Sequence, residues 1–208
     1  MKKKASLLFD VGVDEVGRGA LAGPVIAAAV ILPNSQDQPH FSDSKAISAT
    51  KREALYVWLK EHSFIGLGYR SVRVIDEINI LQASLASMRD AVNRALRVVC
   101  KQECAGDDLL KKDVMVYVDG NQIPKGMSYP AQAVVKGDSK VQAIAAASIV
   151  AKVCRDEMMS RLGKRFPNYG FENHKGYGSK VHREAIFKYG TLKMHRKSFC
   201  LSKQLDLF

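Results

Sequence analysis

Two short runs of branched apolar residues, far apart in the chain, both stop on an aspartate. Leu7–Val13 ends at Asp14-Glu15 and a Gly17-Arg18-Gly19 turn, and Val114–Val118 ends at Asp119-Gly120. An unbroken apolar run of that length, closed by a turn, reads as a strand covered on both faces, and such strands need helices as their cover. The helices are present in the pattern. Ile78, Leu81, Leu85, Met88, Val92, Ala95 and Val99 hold one helical face for about six turns. An alanine-rich segment from Val141 to Arg161 predicts a second long helix whose small side chains let it approach its neighbours closely. The fold class is therefore α/β.

The remaining elements follow the same rules. Val25–Leu32 reads as another buried strand, joined to the first by so short a link that the two should pair antiparallel. Phe64–Tyr69 is a third candidate, weakened by its two glycines, and Ala131–Val135 a further extended segment. Thr50 and Glu53 have capping-box spacing ahead of Leu55, Trp58, Leu59 and His62, and Ser139 and Gln142 repeat it ahead of the alanine-rich helix. The polar stretch Gln102–Lys112 predicts a surface loop. Beyond Pro167 the composition shifts to Gly, His, Lys, Arg and Tyr, with one helix expected from Ser179 to Lys188 and stopped by Gly190. A chain of 208 residues suits one core with a small appendage, here residues 1–165 and a basic helical region and tail, 166–208, packed on the same unit.

Charge narrows the function. Lys and Arg number 32 against 21 Asp and Glu, a net +11, which favours a polyanionic partner whose phosphates release counterions on binding. Cys100, Cys104, Cys154 and Cys200 form no CxxC pair and have no histidine at zinc-finger spacing, as expected of reduced thiols in a cytoplasmic protein. Asp10 and Asp14 break up the apolar stretch behind Lys2–Lys4, which argues against a signal peptide. The longest apolar run, Val25–Leu32, is far below the roughly 18 residues of a membrane span, so no membrane partner is expected.

Against that basic background, Asp14, Glu15, Asp119 and Asp138 fall where strands end or a helix begins. Strand C-termini of an α/β sheet share one edge, so these acids can meet in one cleft. Crowded carboxylates repel one another unless a hard cation neutralises them, and Mg²⁺ prefers oxygen ligands. Singly they have plainer readings. Asp119-Gly120 suits an ordinary turn, and Asp138 suits the positive end of the following helix. Together they predict metal-dependent phosphoryl chemistry.

Five segments then carry a resemblance. Asp14-Glu15-Val16-Gly17-Arg18-Gly19 with Ala22-Gly23-Pro24-Val25, Ser42-Asp43-Ser44-Lys45, Tyr117-Val118-Asp119-Gly120, Lys136-Gly137-Asp138 running into Ala145–Lys152, and His174-Lys175-Gly176-Tyr177-Gly178 resemble, in order and over nearly the whole chain, bacterial ribonuclease HII. The resemblance implies a ribonuclease H-like mixed sheet flanked by helices, with a C-terminal helical appendage, residues 1–165 being the catalytic domain. It implies a monomeric endonuclease that hydrolyses the RNA strand of RNA/DNA hybrids. It also implies incision 5′ of single ribonucleotides embedded in duplex DNA, as in ribonucleotide excision repair, leaving a 3′-hydroxyl and a 5′-phosphate. Asp14, Glu15, Asp119 and Asp138 correspond to the family's catalytic acids, which hold two Mg²⁺ or Mn²⁺ ions during catalysis. Gly17, Arg18 and Gly19 match the loop whose backbone touches the ribose 2′-hydroxyl, and Tyr177 matches the tyrosine that stacks on the adjoining deoxyribose.

The chemistry of the residues agrees with those roles. A 2′-hydroxyl both donates and accepts, and glycines let backbone groups come close to it. Tyr177, between two glycines on a basic stretch, is placed like a stacking ring rather than a core ring. Ser44 and Lys45 are further substrate-binding candidates, and Lys193, Arg196 and Lys197 are candidate phosphate contacts. His174 and His195 read as structural or phosphate-facing rather than catalytic. The tail residues Gln204, Leu205, Leu207 and Phe208 resemble the short motif with which bacterial repair proteins dock on the DNA sliding clamp, apolar side chains serving as anchors. Two other readings compete. A ribonuclease HIII-like hybrid nuclease shares the catalytic domain, but the first catalytic strand begins close to the N-terminus and the Gly-Arg-Gly and Lys-Gly-Tyr-Gly segments fit it less well. A non-catalytic nucleic-acid-binding protein would have the basic charge without a working acidic site.

Overall fold

A computed structural model describes residues 9–33, 38–103 and 113–199. Its centre is a mixed five-stranded sheet in the order β3-β2-β1-β4-β5. The strands are β1 (Phe9–Val16), β2 (Val25–Ile31), β3 (Phe64–Arg70), β4 (Val114–Asp119) and β5 (Ala131–Val134). β1 pairs antiparallel with β2 and parallel with β4, β3 extends the antiparallel side, and β5 extends the parallel side. The first strand does not end before the acids, as its apolar run suggested. Asp14, Glu15 and Val16 continue the ladder opposite Ala28, Ala27 and Ile26, so the carboxylates are carried by a hydrogen-bonded strand rather than by a turn. Leu7 and Leu8 lie outside the described residues.

Side chains alternate across β1 and so sort the helices. Val11 and Val13 face α3 (Ile80–Glu103), where Met88, Ala91, Val92, Ala95, Leu96 and Val99 close one core. Gly12, Asp14 and Val16 face the other layer, built from α1 (Ala49–His62) and α4 (Gln142–Arg165). The glycines of β3 weaken the strand in the sequence pattern, yet they make the packing possible. A Cβ on Gly66 or Gly68 would stand 2.1 Å from the Ala91 carbonyl or 2.0 Å from that of Ser87, so α3 lies directly on β3.

Four boundaries differ from expectation. The six-turn stripe is divided between α2 (Val72–Ile78) and α3, because Asn79 adopts φ 65° and its side chain accepts the Gln82 N–H at 3.1 Å, capping the new helix. α3 then runs through Glu103, where a loop was expected, and residues 104–112 lie outside the described part. α1 is capped by Ser48, which accepts from the Lys51 N–H at 3.2 Å, while Thr50 is already inside the helix. α4 has no capping side chain. Ser139 donates instead to the Lys136 carbonyl within a 3₁₀ turn, Gly137–Ser139, and the Gln142 amide group ties the backbone of Phe41 at 2.8 and 2.9 Å.

After α4 come two short elements, a 3₁₀ turn at Pro167–Tyr169 and α5 (Phe171–His174), and then α6 (Lys180–Tyr189). α6 starts at a Ser179 cap and stops at Gly190, φ 78°, as the sequence predicted. Tyr169, Phe171, Ala185 and Ile186 pack with Leu21, Ala22 and Met159 in a separate apolar cluster. Isolated bridges Ala20↔Tyr177 and Ala22↔His195 fasten this region to the connection between β1 and β2. Among the described residues no helix is long and apolar enough to cross a membrane.

Candidate active site

The acidic centre follows from strand register. Val13 lies beside Val118 in the parallel ladder, so the next residues, Asp14 and Asp119, stand side by side at the C-terminal ends of β1 and β4. Glu15 follows Asp14, and one carboxylate oxygen from each of Asp14, Glu15 and Asp119 lies within 4.8 Å of the others. Each acid is oriented by the chain. Asp119 Oδ1 accepts the Gly137 N–H at 2.7 Å, Asp14 Oδ1 accepts the Glu15 N–H at 2.7 Å, and Glu15 Oε1 meets Arg18 Nη1 at 3.1 Å. Asp138, on the turn that holds Asp119, lines the same cleft of about 470 Å³, together with Asp43, which the sequence placed in the Ser42–Lys45 segment without a role of its own.

Burial and repulsion push Asp14, Glu15 and Asp138 upward. Asp14, only 8% exposed, is raised well above the usual aspartate range by burial first, then by Glu15 and Asp119. Burial raises Glu15 too, with Arg18 partly offsetting it, and Asp138 is raised by burial, Asp43 and Asp119. Three converging oxygen donors, two of them on the raised carboxyl groups of Asp14 and Glu15, with one partly exposed guanidinium beside them, fit a hard divalent cation. The sign of the pH effect follows. In the metal-free protein the folded state holds Asp14 and Glu15 protons more tightly than the unfolded chain, so their contribution falls as pH rises from the ordinary carboxylate value of about 4. Burial lowers His182, to about 4, and His195, and these histidines act in the opposite sense over an overlapping range. The difference made by metal isolates the acids. Added Mg²⁺ is expected to raise Tm more at pH 8 than at pH 5, because protons compete with the cation at the lower pH. A pH-independent Mg²⁺ shift in calorimetry would contradict this account.

The Gly17–Gly19 loop and Tyr177 form another wall of the cleft, and Ser44, Lys45, Ser148 and Lys152 also line it. Lys45 is exposed, whereas Ser44 is 4% exposed, with its N–H donated to Ser148 Oγ and its carbonyl taken by Arg52. Tyr177 does not sit on a loose loop. Its N–H donates to the His174 carbonyl, its own carbonyl receives the Ser179 N–H and lies 2.9 Å from His182 Nδ1, and the Arg155 guanidinium lies 5.3 Å from its ring. The residue as a whole stays 36% exposed. His174 and His182 stack on each other and meet Phe171 edge-on inside the C-terminal cluster, with His195 tilted against Phe171 and His182, which gives the three histidines structural roles.

Arg196 corrects one expectation. It is fully buried and cannot meet a phosphate, whereas Lys193 and Lys197 are exposed. Its guanidinium binds the carbonyls of Gly17, Arg18 and Gly23, and burial lowers its pKa to about 10. Arg155, absent from the sequence reading, is equally buried and binds the carbonyls of Ala22, Pro24 and Lys175. The sequence did hold a sign of it, since Arg155 lies on the helical face of Ser148, Ala151 and Met159, where an apolar residue is expected. Gly17, φ 94°, fits against Arg155, and a Cβ there would approach its Nε to 2.2 Å. For the RNA/DNA hybrid that the resemblance implies as substrate, Gly17→Ala is expected to weaken binding about tenfold in fluorescence anisotropy through this backbone strain. Mg²⁺ affinity should remain unchanged, and wild-type hybrid affinity would count against the loop's role.

The ribonuclease HII family model matches residues 11–202. Ribonuclease HII of Bacillus mycoides is 46% identical over 204 residues, 98% of this chain and 73% of that protein. Two solved structures share the fold. The ribonuclease HII of Archaeoglobus fulgidus, solved as a complex with PCNA, aligns with TM-score 0.63 and 24% identity over 91% of this chain and 94% of its own. Bst-RNase HIII in complex with Mn²⁺ aligns with TM-score 0.68 and 17% identity over 97% and 70%. A ribonuclease H-like sheet, an acidic centre suited to divalent cations and a family match over nearly the whole chain meet in one conclusion: this protein belongs to the ribonuclease HII family, metal-dependent nucleases that hydrolyse RNA paired with DNA.

Proposed function

We propose that the enzyme also incises duplex DNA on the 5′ side of a single embedded ribonucleotide, leaving a 3′-hydroxyl and a 5′-phosphate, as a first step of ribonucleotide excision repair in the cytoplasm. The observation that carries this reading is the shared cleft, in which the glycine loop and Tyr177 face the carboxylates of Asp14, Glu15, Asp119 and Asp138. A cut beside one ribonucleotide requires that recognition and hydrolysis occur a single nucleotide apart. In this reading the four acids hold two divalent ions, Mg²⁺ or Mn²⁺, which when bound neutralise the non-bridging oxygens and make water a nucleophile near neutral pH. The chain's own residues place the substrate. Backbone groups of Gly17, Arg18 and Gly19 meet the 2′-hydroxyl, the Tyr177 ring stacks on the adjoining deoxyribose, and Ser44 and Lys45 meet the backbone.

A DNA duplex with one ribonucleotide, incubated with and without Mg²⁺, tests the reading. Mg²⁺-dependent cleavage at the 5′ side is the expected result for a monomeric enzyme. Cleavage only within a ribonucleotide run would indicate HIII-like behaviour, and a gel shift without cleavage would indicate a binder. Either would remove the proposal.

We further propose that Gln204, Leu205, Leu207 and Phe208, which lie outside the described residues, dock on the DNA sliding clamp. The motif in the sequence supports this, as does the Archaeoglobus relative captured with PCNA. Purified clamp is expected to retain the full chain and lose it when residues 204–208 are deleted. Equal retention would end this idea.

A further inference from the structure

Among the described residues, Arg155 and Arg196 are the two largest side chains that are wholly buried. Neither forms an ion pair with a carboxylate among the described residues. A guanidinium taken from water without a counter-charge is costly, so the groups that receive its hydrogen bonds matter. For Arg196 they are all carbonyls of one loop. Nη2 donates to Gly17 O at 2.7 Å and to Gly23 O at 2.9 Å, Nη1 donates to Arg18 O at 2.8 Å, and Nε donates to Gly23 O at 3.1 Å.

Peptide geometry turns those bonds into a statement about donors. In a planar trans peptide the C=O of one residue and the N–H of the next point in opposite directions. With the carbonyls of Gly17 and Arg18 both aimed at the Arg196 guanidinium, the N–H groups of Arg18 and Gly19 must point away from it. These two residues line the cleft that holds the carboxylates. Glycine at 17 and 19 would otherwise let each peptide rotate freely, so something outside the loop has to fix its direction. A lysine could not do this. One ammonium on a flexible stem cannot span three carbonyls held by a planar fork.

We propose that Arg196 is a positioning residue for ribonucleotide recognition. By holding the carbonyls of Gly17 and Arg18 inward, it presents the N–H groups of Arg18 and Gly19 to the ribose 2′-hydroxyl, and so sets how well the enzyme tells RNA from DNA. The inference rests on the reading of the glycine loop given above and adds the buried residue that aims it. Arg155 supports the far side of the same loop through Ala22 and Pro24.

The test compares affinities rather than turnover. Two fluorescein-labelled duplexes of one sequence, with and without a single ribonucleotide, are titrated by anisotropy in Ca²⁺, whose coordination is too large and irregular for the Mg²⁺ chemistry. Wild type is expected to prefer the ribonucleotide duplex. Arg196→Lys, which keeps the charge, and Arg196→Gln, which keeps a planar donor, should each lose about tenfold of that preference, with affinity for the all-DNA duplex almost unchanged. A partly unfolded variant would bind both duplexes less and leave the ratio untouched, so a wild-type ratio in either variant overturns the proposal. If wild type has no preference for one ribonucleotide yet cleaves RNA/DNA hybrids, the single-ribonucleotide reading fails. The ratio of hybrid to DNA affinity then decides the role of Arg196 by the same criterion.

Discussion

Asp119→Asn is expected to leave a folded protein that binds RNA/DNA hybrid without cutting it. The substituted side chain keeps an oxygen that can accept the Gly137 N–H now bound at 2.7 Å, so the turn carrying Asp138 survives. What disappears is one negative charge in a group of three oxygens. Metal-ion catalysis supplies several kcal/mol, and each loss of about 1.4 kcal/mol is tenfold in rate, so cleavage should fall at least about 10³-fold. Metal-free stability should move the other way. Asp119 is among the groups whose repulsion raises Asp14, and its removal relieves that crowding. For a chain of this size a gain of about 1 kcal/mol appears as roughly 2–4 °C in Tm. Single-turnover cleavage and melting in EDTA check both halves, and near wild-type turnover would contradict the role assigned to Asp119.

Gly12→Ala is expected to cost at least about 3 kcal/mol, the upper end of overpacking penalties. A Cβ at position 12 would lie 2.0 Å from the Ala143 carbonyl carbon and 2.2 Å from the Ile144 nitrogen. Those atoms belong to the helix backbone, which cannot swing aside as a side chain can. Since whole-domain stability is of the order of 5–15 kcal/mol, this single methyl group threatens the fold. Trp58, the one tryptophan, reports from α1 on the same side of the sheet, so its fluorescence in a urea titration gives the midpoint. An unchanged midpoint would mean that α4 does not lie as close to β1 as described.

Both sites were partly legible in the sequence, for different reasons. Branched apolar runs mark buried strands because few other structures tolerate them, and acids at their ends then fall on one sheet edge. The alanines of α4 announced a close approach, and Gly12 is where it occurs. Other features escaped because a pattern does not register them. The step from Ile78 to Leu81 keeps helical spacing, so a single left-handed residue at Asn79 divides the helix without disturbing the stripe. Near a helix start several Ser and Thr residues offer a cap, and only the backbone angles select Ser48 over Thr50. Arg196 counts toward the net charge like any surface cation, although its charge is spent on three carbonyls inside the protein. Charge tallies do not distinguish the two.

Asp14 and Asp119 hang from adjacent strands in matching rows, so the gap between their attachment points is the hydrogen-bonding pitch of a sheet, about 4.8 Å. No side-chain replacement elsewhere can stretch that ruler, because the peptide group sets it. The glycine loop, the aromatic ring and Asp138 are held by turns and side-chain contacts instead, so a substitution can shift them while the spacing of the two attachment points stays that of the sheet.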